Sequence, residues 1–219
     1  MLFRGSETAS SGSATEITVA VPAGTQDGDA MIVCIGTARG TDSINDHGSW
    51  TKLQDRPGGT GNQVYWFGRR TASSEPANYT FDGLAAAHDI VAQIVVLNPE
   101  GGTLAYDDHS EAFASSGTVS TTTSITGADA TSALVCCFTV DASRTVSVAP
   151  TGMTQAEFDD PGAYLITSYY ELDVGASAES RSITWSSGGT NFAALAVFVS
   201  APGGGGGGGI EILRRRIEE

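Results

Sequence analysis

Two kinds of hydrophobic pattern run along this chain of 219 residues. Some stretches alternate. In ITVAV, Ile17, Val19 and Val21 fall on one side and Thr18 and Ala20 on the other, the period of a half-buried strand. Others are unbroken: AMIVCIG (30–36) and DIVAQIVVL (89–97) predict strands that are buried on both faces or lie centrally in a sheet. VYWFGRR (64–70) is aromatic and β-prone before it turns polar at Arg69 and Arg70. Asp27-Gly28-Asp29, Pro57-Gly58-Gly59 and Gly188-Gly189 punctuate the runs as turns. LAAAHDIVAQIVVL has some helix propensity, but its likeness to GGTNFAALAVFVSAP, headed by Gly and Asn, favours a strand.

The pattern is written twice. Ala30 and Ala133, Trp50 and Met153, Phe67 and Tyr170, Val96 and Val199, and Pro99 and Pro202 are each 103 positions apart, while Thr80 and Thr184 are 104 apart. Each half predicts about six strands, so the expected fold is all-β with about twelve. The architecture expected is a jelly-roll-like β-sandwich in which halves 1–99 and 100–202 pack with pseudo-twofold symmetry. The link from Glu100 to about Ser115 is too short and polar for a free hinge; two sequential small sandwiches are the alternative.

Charge narrows the partners. Lys and Arg total 11 against 25 Asp and Glu, a net charge of −14, which argues against nucleic acid or an anionic membrane. No apolar run approaches the ~18 residues of a spanning helix. MLFRGSETAS has no apolar core of a secretory signal, so the sequon at Asn78 is read as incidental. Three cysteines, Cys34, Cys136 and Cys137, read as reduced, buried thiols.

Candidate chemistry is sparse. Asp42, Asp46 and His47, and again Asp107, Asp108, His109 and Glu111, offer metal-ligand atoms, but without a calcium-loop or paired-histidine spacing. They read better as solvated turns. His88 corresponds to Asn191 in the other half and reads as a strand end. No Gly-x-Ser-x-Gly elbow occurs, and no pair of carboxylates stands out for glycoside cleavage. The expectation is therefore no enzyme, no catalytic residue, no metal and no cofactor. Trp50 and Trp66 are the candidate rings for stacking on a glycan, against the alternative that they are core.

VPAGTQDGDAMIVCI, then Gly48-Ser49-Trp50-Thr51, then Ser74 to Phe81 (SEPANYTF), then a strand ending near VLNP resemble a β-sandwich module of tailed-phage and prophage virion proteins. The resemblance covers roughly residues 15 to 202. It implies a non-enzymatic structural protein, tail or fibre associated, residing in the virion after assembly in the host cytoplasm. Capsid decoration and carbohydrate-binding host adhesion are the alternatives. The implied partners are other virion structural proteins, with a host surface glycan under the adhesion alternative.

Residues 203–209 are seven glycines, and 210–219 read IEILRRRIEE. Glycine gives up the most backbone freedom on ordering, so the run acts as a linker. Beyond it, Ile210, Leu213 and Ile217 form a helical stripe, whereas Ile210 and Ile212 flanking Glu211 fit an added strand; both readings stay open. Ten residues are too few for a helix in isolation. The segment is therefore expected to dock, through Ile210, Ile212, Leu213, Arg214, Arg215, Arg216 and Ile217, on a neighbouring subunit. A homo-oligomer, guessed as a trimer, follows from tails exchanged between copies.

Overall fold

The computed structural model describes residues 1–37, 43–56, 64–99, 103–114, 116–126, 132–141, 143–162, 164–175 and 178–201. The tail 210–219 and its linker lie outside these residues. All regular elements among the described residues are strands: β1 (Leu2–Ala14), β2 (Ile17–Ala20), β3 (Ala30–Thr37), β4 (Thr51–Arg56), β5 (Val64–Thr71), β6 (Asn78–Phe81), β7 (His88–Asn98), β8 (Thr103–Ala114), β9 (Val119–Thr121), β10 (Ile125–Thr126), β11 (Ala133–Asp141), β12 (Val146–Val148), β13 (Thr154–Asp159), β14 (Tyr164–Glu171), β15 (Ala178–Glu179), β16 (Ser182–Trp185) and β17 (Asn191–Ala201). Every pairing is antiparallel.

Two five-stranded sheets form the centre, in the orders β1-β7-β3-β5-β4 and β13-β14-β11-β17-β8. Their inner faces share one core. Ile32, Cys34, Phe67, Val91, Val95 and Leu97 of the first meet Val135, Cys137, Tyr164, Ile166, Phe192 and Phe198 of the second. Each outer face is covered in turn. Met31, Val33, Ile35, Ile90, Ile94 and Val96 pack under Ile17 and Val19 of β2 and Tyr79 and Phe81 of β6. Leu134, Cys136, Phe138, Leu195 and Val197 pack under Ile125, Ile183 and Trp185. Strands β3, β7, β11 and β17 are thus covered on both sides, which is why their sequences are unbroken apolar runs instead of alternating ones.

The count exceeds twelve by five: three are the short strands β10, β12 and β15, and two are long strands that carry little pattern. β1 (LFRGSETASSGSA) and β8 (TLAYDDHSEAFA) are edge strands held by main-chain bonds to β7 and β17. Side-chain bonds to the facing sheet help: Ser6 Oγ donates to the Ala156 carbonyl at 2.8 Å, and Thr8 Oγ1 to Asp159 Oδ2 at 3.2 Å. Phe3 stacks on Tyr170 at 4.3 Å. Arg4 reaches buried Asp29 at 3.1 Å, where the Asn98 amide and the Gln26 N–H also donate.

Read outward from β8, the second sheet has the order of the first. The irregularities coincide too. β1 bulges between Phe3 and Gly5 and β8 between Tyr106 and Asp108; β4 bulges between Lys52 and Gln54 and β13 between Gln155 and Glu157. These positions are 103 apart. The offset is not uniform, however. Ala30 faces Leu97 whereas Ala133 faces Phe198, and positions 97 and 198 are 101 apart. Cys34 faces Phe67 whereas Cys137 faces Ser168, again 101 apart. The sequence pairs Phe67/Tyr170 and Val96/Val199 are therefore each shifted by two from the register of β3 and β11. A shift of two preserves the face on which each side chain lies, so the apolar pattern hides it.

Candidate functional site

Two segments singled out in the sequence, Gly48–Thr51 and Ser74–Phe81, meet at one end of the first half. The Trp50 N–H bonds the His47 carbonyl at 2.8 Å, closing the turn that launches β4. The indole then lies edge-on to Tyr79, with centroids 5.3 Å apart, and to Phe81 at 5.9 Å. Arg70, at the end of β5, donates through Nη1 to the Ser49 carbonyl at 2.7 Å and through Nε to Glu75 at 2.9 and 3.1 Å. The same carboxylate accepts the Ser73 N–H at 2.6 Å and the Tyr79 hydroxyl. Ser74, at φ 53°, is held in the left-handed region by its N–H on Asp27 Oδ1 at 2.7 Å.

Burial, then the hydrogen bond and charge of Glu75, push the Tyr79 hydroxyl up to about 12. The fold therefore favours the neutral phenol. This contribution to stability is intact below pH ~10 and lost as pH rises from ~10 towards ~12. Tyr79→Phe is expected to remove that alkaline loss and the highest-pH part of the phenol absorbance titration. Superimposable titration curves for variant and parent would refute the assignment.

Ser49 Oγ lies 2.9 Å from His47 Nδ1, the reach of a nucleophile and its base. The imidazole, however, packs against Tyr79 and Phe81, each 5.3 Å away. Among the described residues no carboxylate is hydrogen-bonded to it. The Glu75 carboxylate, for its part, is taken up by three donors. The arrangement binds one strand connection to another.

In the second half Arg181 does the equivalent work, between Glu171 (2.6 Å) and Glu179 (2.5 Å). Met153 stands in the place of Trp50, its N–H 3.3 Å from the Pro150 carbonyl. Gly152, at φ +82°, replaces Ser49. A shallow recess of about 400 Å³ remains, lined by Thr151, Gly152, Glu171, Ser180, Arg181 and Ser182.

The other candidate residues scatter. Trp50 is 7% exposed and sits in the core, so it presents no face to a sugar. Trp66 lies on β5 opposite Ile35 and Asp55; its side chain is outside the described set. Asp42 and the docking residues Ile210, Ile212, Leu213, Arg214, Arg215, Arg216 and Ile217 also lie outside it. Asp46 pairs with Lys52 at 2.5 Å. Asp107, Asp108, His109 and Glu111 are on strand β8, not in a turn; His109 Nδ1 is 2.5 Å from the Tyr106 hydroxyl and Nε2 is 3.9 Å from Glu111. Among the described residues no three His, Cys, Asp or Glu side chains converge on a point. Asn191 heads β17 and donates to the Gly189 carbonyl at 3.1 Å, a strand-end role; by register its counterpart is Ile90, not His88.

The pair Arg70 and Glu75 escaped sequence reading. Their spacing of five across a Ser-Ser turn, with Tyr79 four further on, was the available signal. No known protein family, curated protein or solved structure matches this chain.

Proposed function

We propose that this chain is a non-enzymatic structural component of a tailed-phage virion, tail or fibre associated, anchored to a neighbouring subunit by residues 210–219. The observation that carries the reading is the use made of the residues behind the resemblance. Trp50, Glu75, Tyr79 and Phe81 are spent on holding the chain together, with the Glu75 carboxylate saturated by its own neighbours. That is the economy of a scaffold.

The body is read as one domain, 1–202, a β-sandwich produced by duplication. The matching strand orders, the coincident bulges and the common inner core support this. Its net charge of −14 supports a partner with basic groups. The tail carries Arg214, Arg215 and Arg216, so exchange of tails between copies satisfies both sides.

The tail energetics set the requirement. Ordering ten backbone residues costs on the order of 10 kcal/mol or more. Each buried Ile or Leu returns about 1.5–3 kcal/mol, so main-chain bonds and arginine pairing must supply the rest. Deleting residues 203–219 is expected to leave the body folded and to abolish incorporation into particles. The check is immunogold labelling and protein analysis of gradient-purified particles carrying either form. Label on the head instead of the tail would select capsid decoration. Incorporation of the truncated chain at full occupancy would refute anchoring, and absence of the full chain from purified particles would refute the function.

A further inference from the structure

The middle of the shared core is more polar than its surroundings. Cys34 on β3 and Cys137 on β11 are both fully buried on the inner faces, in the one core cluster that the two sheets share, and the Cys34 side chain is near enough to influence the Cys137 thiol. Gln93, paired with Cys34, and Ser168, paired with Cys137, lie beside them. Gln93 Nε2 reaches across to the Ile166 carbonyl at 3.4 Å, whereas Gln93 Oε1 and Ser168 Oγ have no partner among the described residues. Cys136 points the other way, into the outer cluster. Positions 34 and 137 are 103 apart, the offset that relates β3 to β11, so the two thiols are counterparts that approach one another from opposite sheets.

The two strands that carry these cysteines also approach one another closely. Stacked sheets ordinarily stand about 10 Å apart, yet Cα atoms of β3 and β11 come within 8 Å. Gly36, the next residue on the inner face of β3, permits it: a Cβ there would lie 2.3 Å from Tyr164 Cε1. A disulfide needs Cα atoms about 4.4–6.8 Å apart, a separation that strands already within 8 Å of one another can supply.

We infer that Cys34 and Cys137 form a disulfide that joins the two halves, made by exchange with a low-molecular-weight disulfide. One cysteine thiolate attacks that disulfide and expels a small thiol. The second cysteine then attacks the mixed disulfide at the protein sulfur and expels another. The pair loses two protons and two electrons, and the oxidant becomes two thiols. Because the neighbouring Cys34 side chain and burial hold the Cys137 thiol well above its ordinary pKa, exchange in the closed fold is slow. The bond therefore forms while the chain folds or opens, and once sealed in it resists reduction.

The test uses the full chain, reduced, unfolded and refolded in mixed oxidised and reduced glutathione, then alkylated and digested without reduction. The expected product lacks two hydrogens, yields a peptide linking Cys34 to Cys137, and carries one alkylated thiol, at Cys136. Its Tm is expected to exceed that of the reduced chain by roughly 5–10 °C, since the bond closes a loop of about 100 residues. Cys136→Ala should preserve the link and Cys34→Ala should remove it. A folded parent chain that keeps three alkylatable thiols, or that links Cys136 instead, overturns the inference.

Discussion

A chain cut after Pro99 is expected to aggregate or self-associate, with no cooperatively melting monomer. The cut removes no strand from the first sheet: β1, β7, β3, β5 and β4 all lie before it, and so do β2 and β6 on its outer face. Every main-chain pairing of that half is retained. What is lost is the cover over Ile32, Cys34, Phe67, Val91, Val95 and Leu97. Each large apolar side chain left bare forfeits about 1.5–3 kcal/mol of burial, and several together match the roughly 5–15 kcal/mol by which domains are ordinarily stable. Such a continuous apolar face also drives association. Sedimentation and thermal melting of residues 1–99 provide the check. A soluble monomer with one sharp transition would mean that each half closes its own core, and would favour two sequential sandwiches.

Gly36→Ala is expected to destabilise the protein by about 3 kcal/mol, the upper end for overpacking. The new methyl would sit 2.3 Å from Tyr164 Cε1 and 3.1 Å from Cζ. The ring cannot easily retreat. Tyr164 is fully buried, and its hydroxyl is held by Thr139 Oγ1 at 3.1 Å. Thr139 is the counterpart of Gly36 at the 103-residue offset, so this one ring spans the same position in both halves. The loss corresponds to a fall in Tm of roughly 6–12 °C for a chain of this size. Tyr164→Leu, which removes the opposing ring edge, should couple favourably with Gly36→Ala in a double-mutant cycle. A Tm within about 1 °C of the parent would show that the sheets are not in contact there.

How far the sequence foretold the fold depended on what each strand packs against. β3, β7, β11 and β17 were legible because cover on both faces leaves an unmistakable apolar run. β2 was legible from alternation, with Ile17 and Val19 on the side that the structure buries. β1 and β8 were not, because an edge strand is held by backbone bonds, which any residue type supplies except proline. Ser6 and Thr8 look like loop residues until the facing carbonyl and carboxylate are in place. The two-residue shift between the halves was invisible for a related reason: it conserves the in–out pattern on which repeat detection rests. At the candidate site, the sequence named Trp50 as a candidate glycan ring beside the reading that it belongs to the core, and could not place it. Burial followed from Tyr79 and Phe81 arriving from about 30 residues downstream, and no local pattern carries that information.

The shared core also sets a timetable. β1 pairs with β7, so Leu2 waits for Asn98 to be made before its strand can close. The inner face of the first sheet then waits for β11, β14 and finally β17, whose Phe198 is among its last partners. At about 5–20 residues per second of synthesis, the interval between completion of the first sheet and completion of its cover is roughly 5–20 s. Throughout it, a ribosome carries a finished sheet with a bare apolar face. Successive ribosomes on one message that are all translating this interval carry the same bare face together, and two such faces are mutually adhesive. Pairing between nascent chains therefore competes with closure within a chain, and slower translation of residues 100–198 lengthens the competition.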